Sequence, residues 1–221
     1  MFTGIIEGMG TLRNIQPQGE GRRLSLETDI DLSGTRIGDS IAVNGACLTA
    51  VSVKQRLFQV DMAPETIART TFSRLGPGAR VNIERAMRLS DRLDGHLVSG
   101  HIDGTGIIVA REKKSNAVIV TIEVDKILAM DMIEKGSVAI DGISLTINRC
   151  SDKDFEVSVI PHTASITTIG IKGTGDAVNI ETDMIGKYVR RFLARGHGTD
   201  SSDNAGKGGV SMALLAQNGF L

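Results

Sequence analysis

The side chains best suited to chemistry lie in two short segments of similar sequence, 97 positions apart. The first is Asn44-Gly45-Ala46-Cys47-Leu48-Thr49, and the second is Asp141-Gly142-Ile143-Ser144-Leu145-Thr146. Thiols, hydroxyls and the backbone N–H and C=O groups of such turns can pair with the donors and acceptors on the edge of a flat, neutral heterocycle. The two segments therefore predict two similar sites for a ligand of that kind.

A Pro-x-Thr segment follows each cluster, as Pro64-Glu65-Thr66 in the first copy and Pro161-His162-Thr163 in the second. Two of the four prolines thus occupy equivalent places, and because proline fixes φ we predict that the same loop is built twice. Hairpin turns repeated with the fold would explain these loops without any function. A cysteine and two histidines, Cys47, His101 and His162, lie at or beside them, which favours a functional site.

Short segments that alternate apolar and polar residues, or form brief β-branched runs, fill most of the chain. Examples are "RLSLETDI", "AVIVTIEV" and "FEVSVI". Gly, Asn and Asp separate these segments, a pattern typical of an all-β protein. Each copy has the length of a small barrel of about six strands, and closing such a barrel removes exposed sheet edges. We predict one barrel in residues 1–96 and a second in residues 97–183.

A helical period replaces the strand pattern in "DMIGKYVRRFLAR". The apolar residues form one stripe and the basic residues lie on the other face or near the end, which predicts an amphipathic helix over residues 184–195. The stripe would either pack on the barrels of its own chain or make an oligomer contact, and the sequence favours neither. Residues 196–221 are predicted to form a Gly/Ser-rich tail with one short helix.

Composition excludes several classes of protein. A net charge of −1 and 3% aromatic residues do not suit a nucleic-acid-binding protein. No apolar run approaches the ~20 residues of a membrane helix, and the N-terminus lacks the features of a secretory signal, so we expect a cytoplasmic protein that does not engage membranes. Cys47 and Cys150 have neither CxxC spacing nor a neighbouring histidine, so we expect no disulfide and no metal site. Phosphate-binding glycine loops are also missing from the sequence.

Seven motifs, in the same order and over roughly residues 1–193, resemble the riboflavin synthase family. They are "MFTGIIEGMG", "GDSIAVNGACLT", "APET", "GHLVSGHIDG", "KGSVAIDGISLTIN", "IPHT" and "VNIETDMIGKYV". The resemblance implies an all-β fold of two tandem six-stranded Greek-key barrels, followed by a C-terminal α-helix that gathers three chains into a homotrimer.

The resemblance also implies a reaction that needs no added cofactor or metal. Two molecules of 6,7-dimethyl-8-ribityllumazine exchange a four-carbon unit, which gives riboflavin and 5-amino-6-(ribitylamino)uracil. Two similar pockets suit a reaction between two identical molecules, and in this family the pockets meet across a subunit boundary. By the same resemblance, the residues that line the two lumazine pockets are Gly4, Ile5, Ile6, Cys47, Leu48, Thr49, Asp61, Met62, Ala63, Pro64, Glu65, Thr66, Gly100, His101, Ile102, Lys135, Ser144, Leu145, Thr146, Ile160, Pro161, His162, Thr163, Ala164 and Ser165.

Five residues are assigned the implied chemistry. As a side chain able to transfer protons, His101 is expected to deprotonate the 7-methyl group of one lumazine. Ser40 and Cys47 would assist nucleophilic attack or hold an added water at the other ring. Phe2 and Thr3 would close over the ring as an N-terminal strap.

Other interpretations of single residues stay open. Cys47 is preferably interpreted as part of the pocket wall, with a role as covalent nucleophile as the alternative. Asp183 would contact the pteridine or cap the C-terminal helix, and His162 would only orient a loop. We assign His96 and His197 to the surface or the linker.

Two rival functions remain. Relatives with the same double barrel bind one lumazine or flavin as a fluorescent antenna and catalyse nothing, but a pair of pockets that both keep polar residues favours the enzyme. Those polar residues are Ser40, Cys47, His101, Lys135 and Ser144. A barrel that forms the flavin-binding part of a reductase ranks last, because no nicotinamide-binding βαβ unit follows it.

Overall fold

Alternating apolar residues close the first half of the chain into a barrel. The computed structural model describes residues 1–196 and Gln217. The first six strands are β1 (Gly8–Gln18), β2 (Gly21–Thr28), β3 (Ser40–Val43), β4 (Ala46–Lys54), β5 (Leu57–Met62) and β6 (Arg80–Arg85). They pair antiparallel in the closed order β1-β2-β5-β4-β3-β6. The sheet therefore has no free edge.

The second half repeats the first. Its strands are β7 (Gly104–Lys114), β8 (Ala117–Glu123), β9 (Ser137–Ile140), β10 (Ile143–Cys150), β11 (Asp154–Val159) and β12 (Ala177–Thr182). They close in the order β10-β11-β8-β7-β12-β9. Register shifts interrupt β4 after Ala50 and β10 after Ile147, at equivalent places in the two copies. Such bulges bend a strand and help a small barrel to close. The prediction of two tandem six-stranded barrels is confirmed.

Each barrel has its own apolar core. In the first barrel Leu24, Leu26, Phe58 and Val60 point inward from neighbouring strands and are at most 1% exposed. Val120, Ile122, Phe155 and Val157 occupy the same role in the second barrel and are fully buried. Burying one such side chain contributes about 1.5–3 kcal/mol, so each barrel gains its stability largely from its own half of the sequence.

A mostly polar contact region joins the two barrels. Asn82 Nδ2 donates to the carbonyl of Asp141 at 2.9 Å, and Asn179 Nδ2 donates to the carbonyl of Asn44 at 2.8 Å. The oxygens of the same two amides accept backbone N–H groups of Thr168 and Thr71, each at 2.8 Å. Every bond in this set has a counterpart with the two copies exchanged. The barrels are thus related by an approximate two-fold axis.

The helices correct one detail of the sequence prediction. The two Pro-x-Thr segments, predicted as loops, form single-turn helices α1 (Pro64–Arg69) and α3 (Pro161–Ile166), each with proline in the first turn. Proline is tolerated there because its missing N–H would have no partner in the helix. A short helix α2 (Lys126–Ala129) follows β8. The predicted C-terminal helix is observed as α4 (Met184–Gly196).

Contacts divide the chain into a unit Met1–Tyr188, which holds both barrels, and a unit Val189–Leu221. The described part of the second unit is helical up to Gly196, and Gln217 is also helical. The rest of the predicted tail, and His197, lie outside the described residues. Among the helices of the described part, none is long and apolar enough to cross a membrane.

Candidate active site

Two extended segments, the first strap (Phe2–Ile6) and the second strap (Val98–Ile102), lie between the barrels. Each is held by one buried carboxylate. Glu84 accepts the backbone N–H groups of Thr3 and Gly4 at 2.7 and 3.1 Å. Glu181 accepts those of Ser99 and Gly100 at 2.6 and 2.9 Å.

The two strap carboxylates are nearly inaccessible to solvent. Glu84 is 4% exposed and Glu181 is 2% exposed. Burial raises the pKa of both carboxyl groups, and the hydrogen bonds from the straps oppose that rise. Neither residue was predicted from the sequence, although "VNIE" ends on Glu84 in one copy and on Glu181 in the other. The repetition of this motif in the two copies is the sequence signal that could have identified both carboxylates.

Each strap forms a backbone hydrogen bond with the opposite barrel, at Ser144 or at Cys47. The carbonyl of Gly4 accepts the N–H of Ser144 at 2.8 Å, and the carbonyl of Gly100 accepts the N–H of Cys47 at 2.8 Å. Phe2 and Val98 pair at the crossing point. Each site is consequently built from one barrel and the strap of the other copy.

Glycine is required at both places where a strap contacts the opposite barrel, at Gly4 beside Ser144 and at Gly100 beside Cys47. A Cβ on Gly100 would lie 2.4 Å from Cys47 Cβ, and one on Gly4 would lie 2.6 Å from Ser144 Cβ. Both residues also adopt positive φ, +84° and +75° respectively, where an L side chain is strained. The straps can approach the clusters this closely only because no side chain intervenes.

We expect Gly100→Ala to destabilise the fold by more than the roughly 1–3 kcal/mol of backbone strain alone, since the new methyl group would also collide with Cys47. Gly78→Ala is the matched control: its φ is +92°, but nothing lies within 4 Å of the added Cβ. Urea unfolding of the two variants measures the difference. Equal losses would mean that the strap shifts to admit the methyl group.

The Cys47 site is an open cleft of about 330 Å³. Its wall brings together residues predicted from distant parts of the sequence with three that were not predicted. The lining residues are Ala46, Cys47, Glu65, Thr66, Arg69, Thr70, Gly100, His101 and Ile102. Arg69, one helical turn after Glu65, pairs with it at 3.0 Å. A thiol, an imidazole and a carboxylate–guanidinium pair thus surround a space open to solvent.

The Ser144 site has the equivalent parts, namely β10, α3 and the first strap. His96 also belongs to this site, so its predicted place at the surface or in a linker is wrong. It is 9% exposed, and its Nδ1 lies 2.6 Å from Ser144 Oγ. Burial lowers the pKa of His96, opposed by the charge of Asp183. His96 looked like a linker residue because a local pattern cannot reveal a contact 48 positions away.

Three predicted catalytic residues are not among those that line the Cys47 cleft. Phe2 is fully buried and packs with Val98, and Thr3 Oγ1 donates to Glu84 at 2.8 Å. Both therefore anchor the first strap in this structure. Ser40 lines a different cleft of about 530 Å³, together with Arg85 and Arg88.

The remaining residues predicted to line the pockets differ in their exposure to solvent. Those packed in the barrel cores are Ile6, Leu48 and Met62. Those half-buried are Asp61, Leu145, Thr163 and Ala164. Those exposed are Ile5, Thr49, Ala63, Pro64, Lys135, Thr146, Ile160, Pro161, His162 and Ser165. Asp61 is held by Arg23 through two hydrogen bonds of 2.6 and 2.8 Å, and this pairing lowers the pKa of Asp61.

A metal site is not evident in the described residues, where no three His, Cys, Asp or Glu side chains are grouped to hold an ion. Asp183 does what an N-cap residue does: its Oδ1 accepts the N–H of Ile185 at 2.9 Å, at the start of α4. That observation favours the capping interpretation of Asp183.

Comparison with known proteins gives a consistent family. The lumazine binding domain family matches residues 3–86 and 99–183, once for each copy. Riboflavin synthase of Bacillus amyloliquefaciens is 44% identical over 220 residues, and that of Bacillus subtilis (strain 168) is 43% identical; both alignments cover 100% of both chains. LumP complexed with 6,7-dimethyl-8-(1'-D-ribityl) lumazine has a TM-score of 0.73 at 25% identity, covering 82% of this chain and 99% of that one. LumP complexed with riboflavin has a TM-score of 0.75. With two crossed sites of matching construction and full-length similarity to these enzymes, the chain belongs to the riboflavin synthase family.

Proposed function

We propose that this chain is a riboflavin synthase, a transferase that moves a four-carbon unit between two molecules of 6,7-dimethyl-8-ribityllumazine. The products are riboflavin and 5-amino-6-(ribitylamino)uracil. The observation that carries the proposal is the pair of sites with the same construction and different reactive groups. Cys47 and His101 stand in one, whereas Ser144 and Ile5 hold the equivalent positions in the other. Identical ligands would then meet unlike chemistry, as a donor and an acceptor require.

The chain's own residues have two tasks in this reaction. One is to hold two rings in reacting order, which can contribute ~7–11 kcal/mol to lowering the barrier. The other is to move protons: His101, exposed in the Cys47 cleft, is proposed to take a proton from a lumazine methyl group. Cys47 is proposed to form the wall of that cleft, with a covalent role as the alternative. We further propose that the pocket residues predicted from the family resemblance line these two sites.

Assembly and location complete the proposal. We propose a cytoplasmic homotrimer in which the first barrel of one chain faces the second barrel of its neighbour, with barrels in residues 1–96 and 97–183 and an oligomerisation helix over residues 184–195. Apolar side chains of α4 support it, since Ile185 and Tyr188 are each 60% exposed and Phe192 is 68% exposed. Such a stripe on one chain gains stability by burial against another copy.

Replacing Ile185, Tyr188 and Phe192 together with serine is expected to convert the assembly to monomers, because the apolar area that would be buried is lost. Sedimentation velocity measures the change. The control is Arg191→Ser, which alters an exposed polar residue of the same helix. A triple variant that sediments like the unaltered protein would place the subunit contact on the barrels instead.

Incubating the purified protein with the lumazine alone and following riboflavin absorbance tests the function. Riboflavin without any added cofactor is the expected result. A second candidate, a lumazine-binding antenna protein, is favoured by the structural similarity to LumP. Tight lumazine binding without product would support that candidate and contradict the enzyme.

A further inference from the structure

Asp103, the residue that follows the second strap, connects the end of that strap to two different elements. Its N–H donates to the carbonyl of Ile180 in β12 at 2.9 Å. Its Oδ2 accepts the N–H and the hydroxyl of Thr182 at 2.9 and 3.1 Å, and it also accepts Lys187 Nζ at 2.6 Å. Because Lys187 belongs to α4, the strap is attached both to the sheet and to the C-terminal helix.

His101 lies between two fixed points of the second strap. On its N-terminal side, the N–H of Gly100 donates to Glu181 at 2.9 Å. On its C-terminal side, the fixed residue is Asp103, and only Ile102 separates the two. Since consecutive Cα atoms lie about 3.8 Å apart, a displacement of Asp103 also moves the backbone of His101. The position of the imidazole therefore depends on what holds Asp103.

The first copy makes the equivalent attachment without a helix. Glu7 follows the first strap, and its N–H donates to the carbonyl of Ile83 at 3.0 Å. Its carboxylate accepts Arg85 Nε at 2.9 Å, from the end of β6. A cation of the barrel itself thus holds the strap that carries Ile5, whereas a cation of α4 holds the strap that carries His101.

Lys187 lies on the side of α4 that contacts the second barrel. With 3.6 residues per turn, it falls on the far side of the helix from Ile185, which is exposed and begins the apolar stripe. Gly186 and Lys187 are both half-buried, and a Cβ on Gly186 would lie 3.4 Å from the carbonyl oxygen of Asp131. The first turns of α4 therefore have one face on the barrel and the opposite face in solvent.

Lys187 also acts on the carboxylate that holds the other end of the second strap. Burial raises the pKa of Glu181, and the hydrogen bonds from Ser99 and Gly100 together with the charge of Lys187 oppose that rise. The ammonium group of Lys187 thus favours the ionised form of Glu181, which accepts the two N–H groups of the strap.

We propose that Lys187 is a positioning residue for His101: through Asp103 it holds the second strap so that the imidazole meets the lumazine in the Cys47 cleft. The helix proposed to join the subunits then also sets the geometry of the base. The inference rests on the proposed function, in which His101 takes a proton from a lumazine methyl group. A misplacement of about 1 Å can lower the rate of such a step by about 100-fold.

Lys187→Met tests the proposal, because methionine keeps most of the length of the side chain and removes its charge. We expect kcat to fall by about 10-fold or more, and lumazine affinity, measured by fluorescence titration, to change by less than about 3-fold. Lys187→Arg can still pair with Asp103 and should keep kcat within about 3-fold. Sedimentation velocity should show an unchanged assembly, since Lys187 lies off the apolar stripe.

Hydrogen exchange measures the second strap without any need for turnover. In Lys187→Met, the N–H of Asp103 should exchange about 10-fold faster or more, while the equivalent N–H of Glu7 in the first copy stays as protected as before. Lys126→Met is the matched control, since it breaks an ion pair of 3.1 Å with Asp152 in the same barrel. That variant should leave both exchange rates and kcat within about 3-fold of the unaltered protein.

Combining Lys187→Met with His101→Ala separates positioning from a general structural loss. If Lys187 acts through His101, adding Lys187→Met to His101→Ala should lower kcat by less than about 2-fold.

Three results would overturn the proposal: an unchanged kcat in Lys187→Met, an unchanged exchange rate at Asp103, or a full further loss of kcat in the double variant. Riboflavin formation by the unaltered protein tests the proposed function separately. Because the exchange comparison needs no turnover, the two failures are distinguishable.

Discussion

A chain ending at Asp94 is expected to bind the lumazine but to form riboflavin at least about 100-fold more slowly than the full chain. Strands β1–β6 and their core are complete within it. It lacks His101, Lys135 and Ser144, and therefore the groups that make the second site chemically different from the first. It also lacks the second strap, which leaves the N–H of Cys47 without the carbonyl of Gly100.

The first strap offers a replacement. Glu84 still holds Thr3 and Gly4, so the Gly4 carbonyl of one copy can accept the Cys47 N–H of a second copy. We therefore expect the shortened chain to be a dimer with exchanged straps. Analytical ultracentrifugation, lumazine fluorescence and riboflavin absorbance together measure the outcome. Gly4→Val in the shortened chain should abolish pairing, because that position has a φ of +75° and no room for Cβ.

Two results would contradict this picture. Turnover near that of the full chain would remove the need for unlike sites. A shortened chain that binds lumazine as a monomer would show that the first barrel forms its site without a strap from another copy.

His101→Ala is expected to lower kcat by about 100-fold or more, with the lumazine dissociation constant changed by less than about 3-fold. The side chain is exposed in the Cys47 cleft, so its removal should alter the free energy of unfolding by no more than about 0.5 kcal/mol. Steady-state rates, fluorescence titration and urea unfolding separate the three effects. Equal losses of kcat and affinity would demote His101 to a binding residue.

The barrels could be predicted from the sequence because their determinants are local and occur twice. Alternation in segments such as "AVIVTIEV" specifies which side chains face inward, and the repeat shows where the second barrel begins. The single-turn helix at Pro64 escaped prediction because six residues are too few to show a helical period.

The crossing of the straps could not be predicted in the same way. Nothing in "MFTGII" states that Gly4 bonds to Ser144 rather than to its own barrel, since the choice depends on how two finished barrels dock. His96 was misplaced for the same reason, because its partner is a residue of the other copy's site. The family resemblance placed Cys47 and His101 together, and both line one cleft in the structure, whereas local periodicity carried no such information.

Exchange of straps also bears on how the two halves came to differ. In a pair of identical single-barrel chains, any change to a strap or cluster would appear in both sites at once. Covalent linkage of the halves keeps the partners together at an effective concentration of roughly millimolar and lets each position mutate alone. The two copies differ by cysteine at position 47 against serine at 144, and by isoleucine at 5 against histidine at 101, and a pair of identical chains cannot hold such differences. Joining two copies in one polypeptide is thus a route by which a symmetric binding protein acquires directionality.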